Sequence, residues 1–146
     1  IFDKIMEVNV KAPWSLSNLV LPHLQVHKNG SIINIASVEA LTPGLGLGIY
    51  STSKAAILML SKNQAKEWGK HGIRVNAICP GLIKTKFSAA LWQNEKILGK
   101  IQKTLPSERM GMPEEMVGLA CLLASDAGGY MTGGVYTADG GYMIAG

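Results

Sequence analysis

An open α/β sheet with mostly parallel strands is the fold class this sequence predicts, and three observations point to it. Segments with apolar residues at helical spacing alternate with short β-branched runs, nearly continuous in hydrophobicity, as strands covered on both faces are. Gly and Pro stand at the joints between them. Of the 146 residues only 16% are charged and 47% are hydrophobic, which favours buried strands with glycine-rich connections in one compact domain. Parallel neighbours then require right-handed crossovers.

The elements follow in order. Ile1, Phe2, Ile5 and Met6, then Leu16, Leu19, Val20 and Leu24, recur at helical spacing, so one long helix is expected, bent or interrupted near Pro13. Lys28-Asn29-Gly30 marks a turn, and Ser31 to Ser37 reads as a strand buried on both faces. A loop containing Pro43, Gly44, Gly46 and Gly48 leads to an Ala-, Lys- and Leu-rich helix over about Tyr50 to Lys70. Gly72 ends that helix, Ile73 to Cys79 forms a second buried strand, and Pro80-Gly81 stops it. Residues 84 to 108 are expected to be a mobile segment with one or two short helices, anchored by Phe87 and Trp92. Pro113, Glu114 and Glu115 open a helix running to about Ala124, suited by a first-turn proline and two carboxylates at the positive end of the helix dipole. Val135 to Ala138 is a short last strand, closed by Asp139-Gly140-Gly141.

Composition excludes several function classes. The formal charge is +4, but the basic residues are scattered rather than gathered in a stripe, which speaks against a nucleic-acid surface. The longest apolar stretch, Ala55 to Leu60, is far short of the roughly 20 residues that cross a bilayer, so no membrane partner is expected and a cytoplasmic location is the default. Cys79 and Cys121 stand alone without metal spacing and read as buried small hydrophobes. His23 and His27 are four apart but lack a third ligand, so they read as a solvated helix end and no metal is expected. The chain opens on Ile1, inside what reads as a helix, so a fragment of a larger domain is expected.

Chemistry gathers around one helix start. Tyr50 and Lys54 are four apart, so both project from one helix face one turn from each other. A phenol of pKa about 10 is a poor acid-base catalyst at neutral pH, but a cation within about 4 to 6 Å lowers such a pKa by roughly 1 to 3. Ser37 stands thirteen residues before Tyr50, at the carboxyl end of the preceding strand, where open parallel sheets place their ligands. The intervening loop is long enough to return the helix start beside it.

With Asn9 in Glu7-Val8-Asn9-Val10, Ser37 in Asn34-Ile35-Ala36-Ser37, and Tyr50 and Lys54 in Tyr50-Ser51-Thr52-Ser53-Lys54, the chain resembles the short-chain dehydrogenases/reductases over essentially its whole length. Arg74-Val75-Asn76 and Pro80-Gly81-Leu82-Ile83-Lys84-Thr85 resemble that family's sixth strand and nicotinamide-side turn. Gly111 to Glu115 and Thr132 to Gly141 resemble its last helix and strand. The resemblance implies the C-terminal part of a Rossmann-like doubly wound parallel sheet, with the first strands missing, as a single incomplete catalytic and substrate-binding portion over residues 1–146. It implies NAD(P) as cofactor and hydride exchange between nicotinamide C4 and a carbonyl or secondary alcohol carbon.

Within that reading Tyr50 exchanges a proton with the substrate oxygen, Ser37 hydrogen-bonds that oxygen, Lys54 holds the nicotinamide ribose, and Asn9 holds a proton-relaying water. Pro80, Gly81, the Ile83 backbone and the Thr85 hydroxyl belong to the nicotinamide side, and Phe87, Leu91 and Trp92 to an apolar substrate lid. The string from Pro80 to Trp92 looks most like the carbonyl reductase/retinol dehydrogenase branch, with 3-oxoacyl carrier protein reductases next. The resemblance further implies a homo-oligomer, dimer or tetramer, through the helices carrying Asn9 and Tyr50.

Departures and blander readings stand beside this. The family's phosphate-binding glycine motif, its cofactor selector and its Asn-Asn-Ala-Gly segment are absent. Gly44, Gly46 and Gly48 have GxGxG spacing and begin seven residues past the strand, which suits a flexible active-site loop better than a phosphate cradle. No GxSxG elbow accompanies Ser37, against an esterase nucleophile. The alternative is a catalytically silent piece acting only through helix-mediated self-association, with one edge of the strand at residues 31 to 37 bared to mispairing.

Overall fold

The computed structural model describes residues 1–145. Helix α1 (Phe2–Met6) and helix α2 (Ala12–His27) are joined without a break by a π-helical turn, Glu7–Lys11. The expected interruption near Pro13 therefore takes the form of a widened turn just before it. Pro13 has no N–H, so the Asn9 carbonyl four residues back loses its usual donor, while the Ala12 N–H reaches five residues back to Glu7. Asn9 sits inside this turn.

Strand β1 (Gly30–Ile35) pairs in parallel with β2 (Ile73–Pro80), and β2 with β3 (Val135–Ala138), in the order β1-β2-β3. Helix α3 (Gly48–Trp68) is the crossover from β1 to β2 and packs on β2. β2 is the central strand and is buried nearly throughout. β1 departs from the expected burial on both faces: Ser31, Ile32 and Ile33 are half-buried and Ile35 is exposed, because β1 forms an edge of the three-stranded sheet.

Two apolar clusters flank the strands, one of Ala36, Ile57, Leu58, Ala77 and Cys79, the other of Ala65, Trp68, Ile73 and Val75 with Leu21, Leu24 and Ile32 packed against it. Each fully buried Ile or Val here contributes roughly 1.5–3 kcal/mol of transfer free energy. Helix α3 meets this core with Ile57, Leu58, Ala65 and Trp68, and one of its buried hydroxyls is paired across elements: Asn34 Nδ2 donates to Ser61 Oγ at 2.9 Å.

Gly72, left-handed at φ 73°, closes α3 after a 3₁₀ turn over Gly69–His71. A Cβ there would collide with the Lys28 carbonyl, so this position tolerates only glycine. Beyond β2, the expected mobile segment contains two short helices, α4 (Ala89–Trp92) and α5 (Glu95–Thr104). A 3₁₀ turn, Pro113–Met116, opens α6 (Val117–Ala124). The last carbonyls of α6 are satisfied from the sheet: Ser31 Oγ and Arg74 Nη1 donate to Leu123 O at 2.8 and 2.6 Å, and Arg74 Nη2 to Ser125 O at 3.2 Å. A guanidinium is favoured at that negative helix end. Of the two cysteines expected in the core, Cys79 is buried and Cys121 is exposed, because Cys121 lies on the outer face of α6. His23 and His27 are both exposed on the last turns of α2.

Candidate active site

The parallel strands end together at one edge of the sheet, and the candidate residues meet there. Ser37 follows β1 and caps the 3₁₀ turn Val38–Ala40, its Oγ accepting the Glu39 N–H at 3.2 Å. Tyr50 lies in the first turn of α3, one turn before Lys54, whose Nζ is 5.8 Å from the Tyr50 ring centre. Lys54 Nζ donates to the Ile35 carbonyl at 3.0 Å, which ties the helix face to the end of β1. The Cys79 thiol, at the end of β2, is close enough to Lys54 and to the Ser37 backbone to feel both.

Electrostatics correct one expectation. The Tyr50 phenol is pushed up from its ordinary value, first by burial, with the Ser37 hydroxyl near enough to favour the phenolate and the Glu39 charge opposing it. The Lys54 ammonium is lowered, chiefly by burial. Withdrawal from water disfavours the charged form of both groups, so here burial outweighs any benefit the phenol draws from the amine.

Asn9 reaches this centre through a residue the spacing did not reveal. Asn9 Nδ2 donates to Ser53 Oγ at 3.0 Å, and Ser53 Oγ donates to the Tyr50 carbonyl at 2.7 Å. Ser53 is completely buried beside Lys54. Its only sequence signal was a small polar residue inside a helix, between Tyr50 and Lys54.

On the other side, Pro80 ends β2 and Gly81 passes so near Asp139 that a Cβ would stand 2.6 Å from the Asp139 Cα. Leu82 to Lys84 then runs beside Gly111, with Gly111 N–H donating to Leu82 O and Lys84 N–H to Gly111 O, both at 2.9 Å. Ser88, also unforeseen, knots the following turn: its Oγ donates to Ile83 O at 2.6 Å and accepts the Thr85 N–H at 3.0 Å, with the Thr85 hydroxyl 3.3 Å away.

Of the expected lid residues, Phe87 comes to the phenol, its ring centre 6.1 Å from that of Tyr50 and its side chain open to solvent. Trp92 turns back on its own segment, Nε1 donating to Thr85 O at 2.9 Å under the Lys84 ammonium. Leu91 is half-buried in α4, its N–H donating to Ser88 O at 2.9 Å.

A half-buried phenol, a hydroxyl and an amine at the carboxyl ends of parallel strands can bind an oxygen and move a proton. Comparison with known proteins places the chain in a family. The family model described as enoyl-(acyl carrier protein) reductase matches residues 1–143. The chain belongs to the short-chain dehydrogenase/reductase family. It is 40% identical over 141 residues to dehydrogenase/reductase SDR family member 4 of Oryctolagus cuniculus, covering 97% of this chain and 54% of that protein. It is 36% identical over 143 residues to the 3-oxoacyl-[acyl-carrier-protein] reductase of Thermotoga maritima, covering 98% of this chain and 57% of that one.

Among solved structures, a gluconate 5-dehydrogenase from Burkholderia cenocepacia in complex with NADP and tartrate superposes with a TM-score of 0.96 at 30% identity, over 99% of this chain and 57% of its own. A 4-hydroxyisoleucine dehydrogenase complexed with NADH gives 0.94 at 34% identity, over 99% of this chain and 60% of its own. The chain thus spans about half the length of the curated relatives it matches. Its fold is the matching part of the Rossmann-fold sheet of these dehydrogenases.

Among the described residues no group of three His, Cys, Asp or Glu side chains is placed to hold a metal, and no helix is long and apolar enough to cross a membrane.

Proposed function

We propose that this chain supplies the catalytic and substrate-binding side of an NAD(P)-dependent oxidoreductase acting on a carbonyl or secondary alcohol. The observation that carries the reading is the convergence of Ser37, Tyr50 and Lys54 where β1 and β2 end, with Phe87 against the phenol. The donors present fit the nicotinamide-ribose end of such a cofactor. Lys54 has three N–H donors and spends one on Ile35, leaving others for ribose hydroxyls. The Ile83 backbone and Thr85 hydroxyl lie on a turn that Ser88 and Gly111 already hold rigid, as a carboxamide site requires. When bound, the nicotinamide supplies or takes the hydride.

The chain's own residues handle the proton. Tyr50 donates to the oxygen of a carbonyl undergoing reduction, or accepts from an alcohol undergoing oxidation. Ser37 donates a hydrogen bond to that oxygen, a contact that strengthens as charge develops on it. Lys54 orients the ribose, and Asn9, through Ser53, fixes the backbone at Tyr50. Phe87 offers an apolar face next to the reacting oxygen, which favours apolar ketones, aldehydes or alcohols.

Self-association accompanies this role. An open groove of about 560 Å³ lies along the first helical run, lined by Asp3, Met6, Glu7, Val10, Lys11 and Trp14 together with Leu60 of α3, and it supports a homo-oligomeric contact there.

The test of the chemistry uses a chimera carrying the amino-terminal half of the Oryctolagus cuniculus relative, with NADPH binding by fluorescence as the check of assembly. Tyr50→Phe is expected to lower turnover by roughly two to four powers of ten with cofactor binding retained. Near-normal turnover in a cofactor-binding chimera overturns the assignment.

A further inference from the structure

Glu39 lies two residues past Ser37, on the 3₁₀ turn that Ser37 caps, and its carboxylate gathers three parts of the chain. Its Oε2 accepts the Gly44 N–H at 2.6 Å and the Ser51 hydroxyl at 3.2 Å, and its Oε1 faces the Tyr142 hydroxyl at 3.5 Å. Gly44 belongs to the loop that enters α3, Ser51 adjoins Tyr50 and is buried, and Tyr142 comes from the turn after β3. Contact with Gly44 is close: a Cβ there would meet the two carboxylate oxygens at 2.7 and 2.8 Å.

We propose that Glu39 is a positioning residue of this site, a carboxylate clamp that joins the turn bearing Ser37 to the loop and first helical turn bearing Tyr50. The proposal rests on the reading of Tyr50 as the proton-transferring group. Apart from the Lys54 bond to the Ile35 carbonyl, the turn bearing Ser37 and the helix start bearing Tyr50 are separated by twelve residues that include Pro43, Gly44, Gly46 and Gly48. A charge-assisted bond from a backbone N–H to a carboxylate is about twice as strong as a neutral one, so a single side chain can restrain that loop.

The same carboxylate has an electrostatic effect. Its negative charge opposes formation of the Tyr50 phenolate, and also of the Tyr142 phenolate. The other ionisable groups in this cluster are Lys54, bonded to the Ile35 carbonyl, and the buried Cys79 thiol. Glu39 therefore adds to burial in favouring the protonated Tyr50 phenol while fixing its place.

Two readouts on the 146-residue chain test this without reference to turnover. The first is the titration of the Tyr50 ring by carbon-13 NMR, its signal assigned by loss in Tyr50→Phe. The second is hydrogen exchange at the Gly44 amide. Glu39→Gln keeps an oxygen acceptor and removes the charge, so the Tyr50 phenol is expected to titrate at lower pH, with Gly44 still partly protected. Glu39→Ala removes both, and Gly44 is expected to exchange at least about tenfold faster as its bond is lost. An unchanged Tyr50 titration in Glu39→Gln together with unchanged Gly44 exchange in Glu39→Ala overturns the clamp.

Turnover in the chimera separates this from the reading beneath it. There Glu39→Gln is expected to shift the pH limb governed by Tyr50 downward with a smaller fall in kcat than Glu39→Ala, which lowers kcat more than it changes KM. If Tyr50→Phe leaves turnover intact, the catalytic reading falls even where both readouts on Glu39 hold.

Discussion

Tyr50 and Lys54 answer burial in opposite directions, and Ser37 works against burial at the phenol. Burial raises the Tyr50 pKa and lowers that of Lys54, while Ser37 favours the phenolate. Ser37→Ala removes the one neighbour identified as working in that direction, so the Tyr50 phenol is expected to titrate at higher pH than in the unsubstituted chain. Carbon-13 NMR of the Tyr50 ring measures this, and a titration that stays put or moves down contradicts the contact. The sign is opposite to that expected for Glu39→Gln, so the pair of variants brackets the phenol from both sides. At this scale the sequence is legible where spacing alone carries the chemistry. The four-residue interval of Tyr50 and Lys54, and Ser37 at a strand end, are local patterns. Glu39, Ser53 and Ser88 escaped because their meaning lies in partners: Ser53 meets Asn9 from forty-four residues away, and Glu39 meets Tyr142 from one hundred and three. The sense of the phenol's pKa escaped for a related reason, since spacing reports that an amine is near and says nothing of how much water both groups have lost.

Elements are held in place here by buried polar side chains as much as by apolar ones, and Asn76 in β2 is the clearest case. Its side chain is fully buried, its Nδ2 donates to Met131 O at 2.7 Å, and its Oδ1 accepts the Gly134 N–H at 3.0 Å. These bonds splice the loop before β3 onto the central strand, continuing the ladder in which Gly133 N–H donates to Val75 O and Ala77 N–H to Gly134 O. Asn76→Ala leaves a carbonyl and an N–H without partners, and each such buried group costs about 1–3 kcal/mol. A loss of about 2–3 kcal/mol in denaturant-measured stability is expected, together with faster amide exchange through residues 131–134. A loss under about 0.5 kcal/mol, the size of an ordinary surface substitution, shows that the loop docks by other means. Strands and long helices were readable from period and punctuation, because β-branched runs bounded by Gly and Pro leave few alternatives. The π turn at Glu7–Lys11 was readable only as a disturbance near Pro13, since which turn absorbs a missing donor depends on what its side chains reach, here Ser53 from Asn9.

The whole molecule exposes more surface than its mass calls for. A compact monomer of 15.6 kDa presents about 7,200 Å² by the usual scaling, against 9067 Å² here. The excess is about twice the roughly 800 Å² that one partner contributes to a standard protein interface. It has two sources of different character. One is the surface of the first helices, where Phe2, Val8, Leu16 and Leu19 are exposed and exposed Trp14 lines the groove. The other is β1, a sheet edge ending in exposed Ile35. A helical face closes on a matching face and saturates, while a bare strand edge recruits further edges without limit. Sedimentation velocity across a concentration series is therefore expected to show self-association of the 146-residue chain. Trp14→Lys should remove the discrete small oligomers by placing a charge in the groove, and Ile35→Lys should suppress the larger, slowly growing species. A chain that stays monomeric at its highest attainable concentration refutes both sources. If Trp14→Lys leaves the small oligomers intact, their contact lies elsewhere than the groove that Trp14 lines.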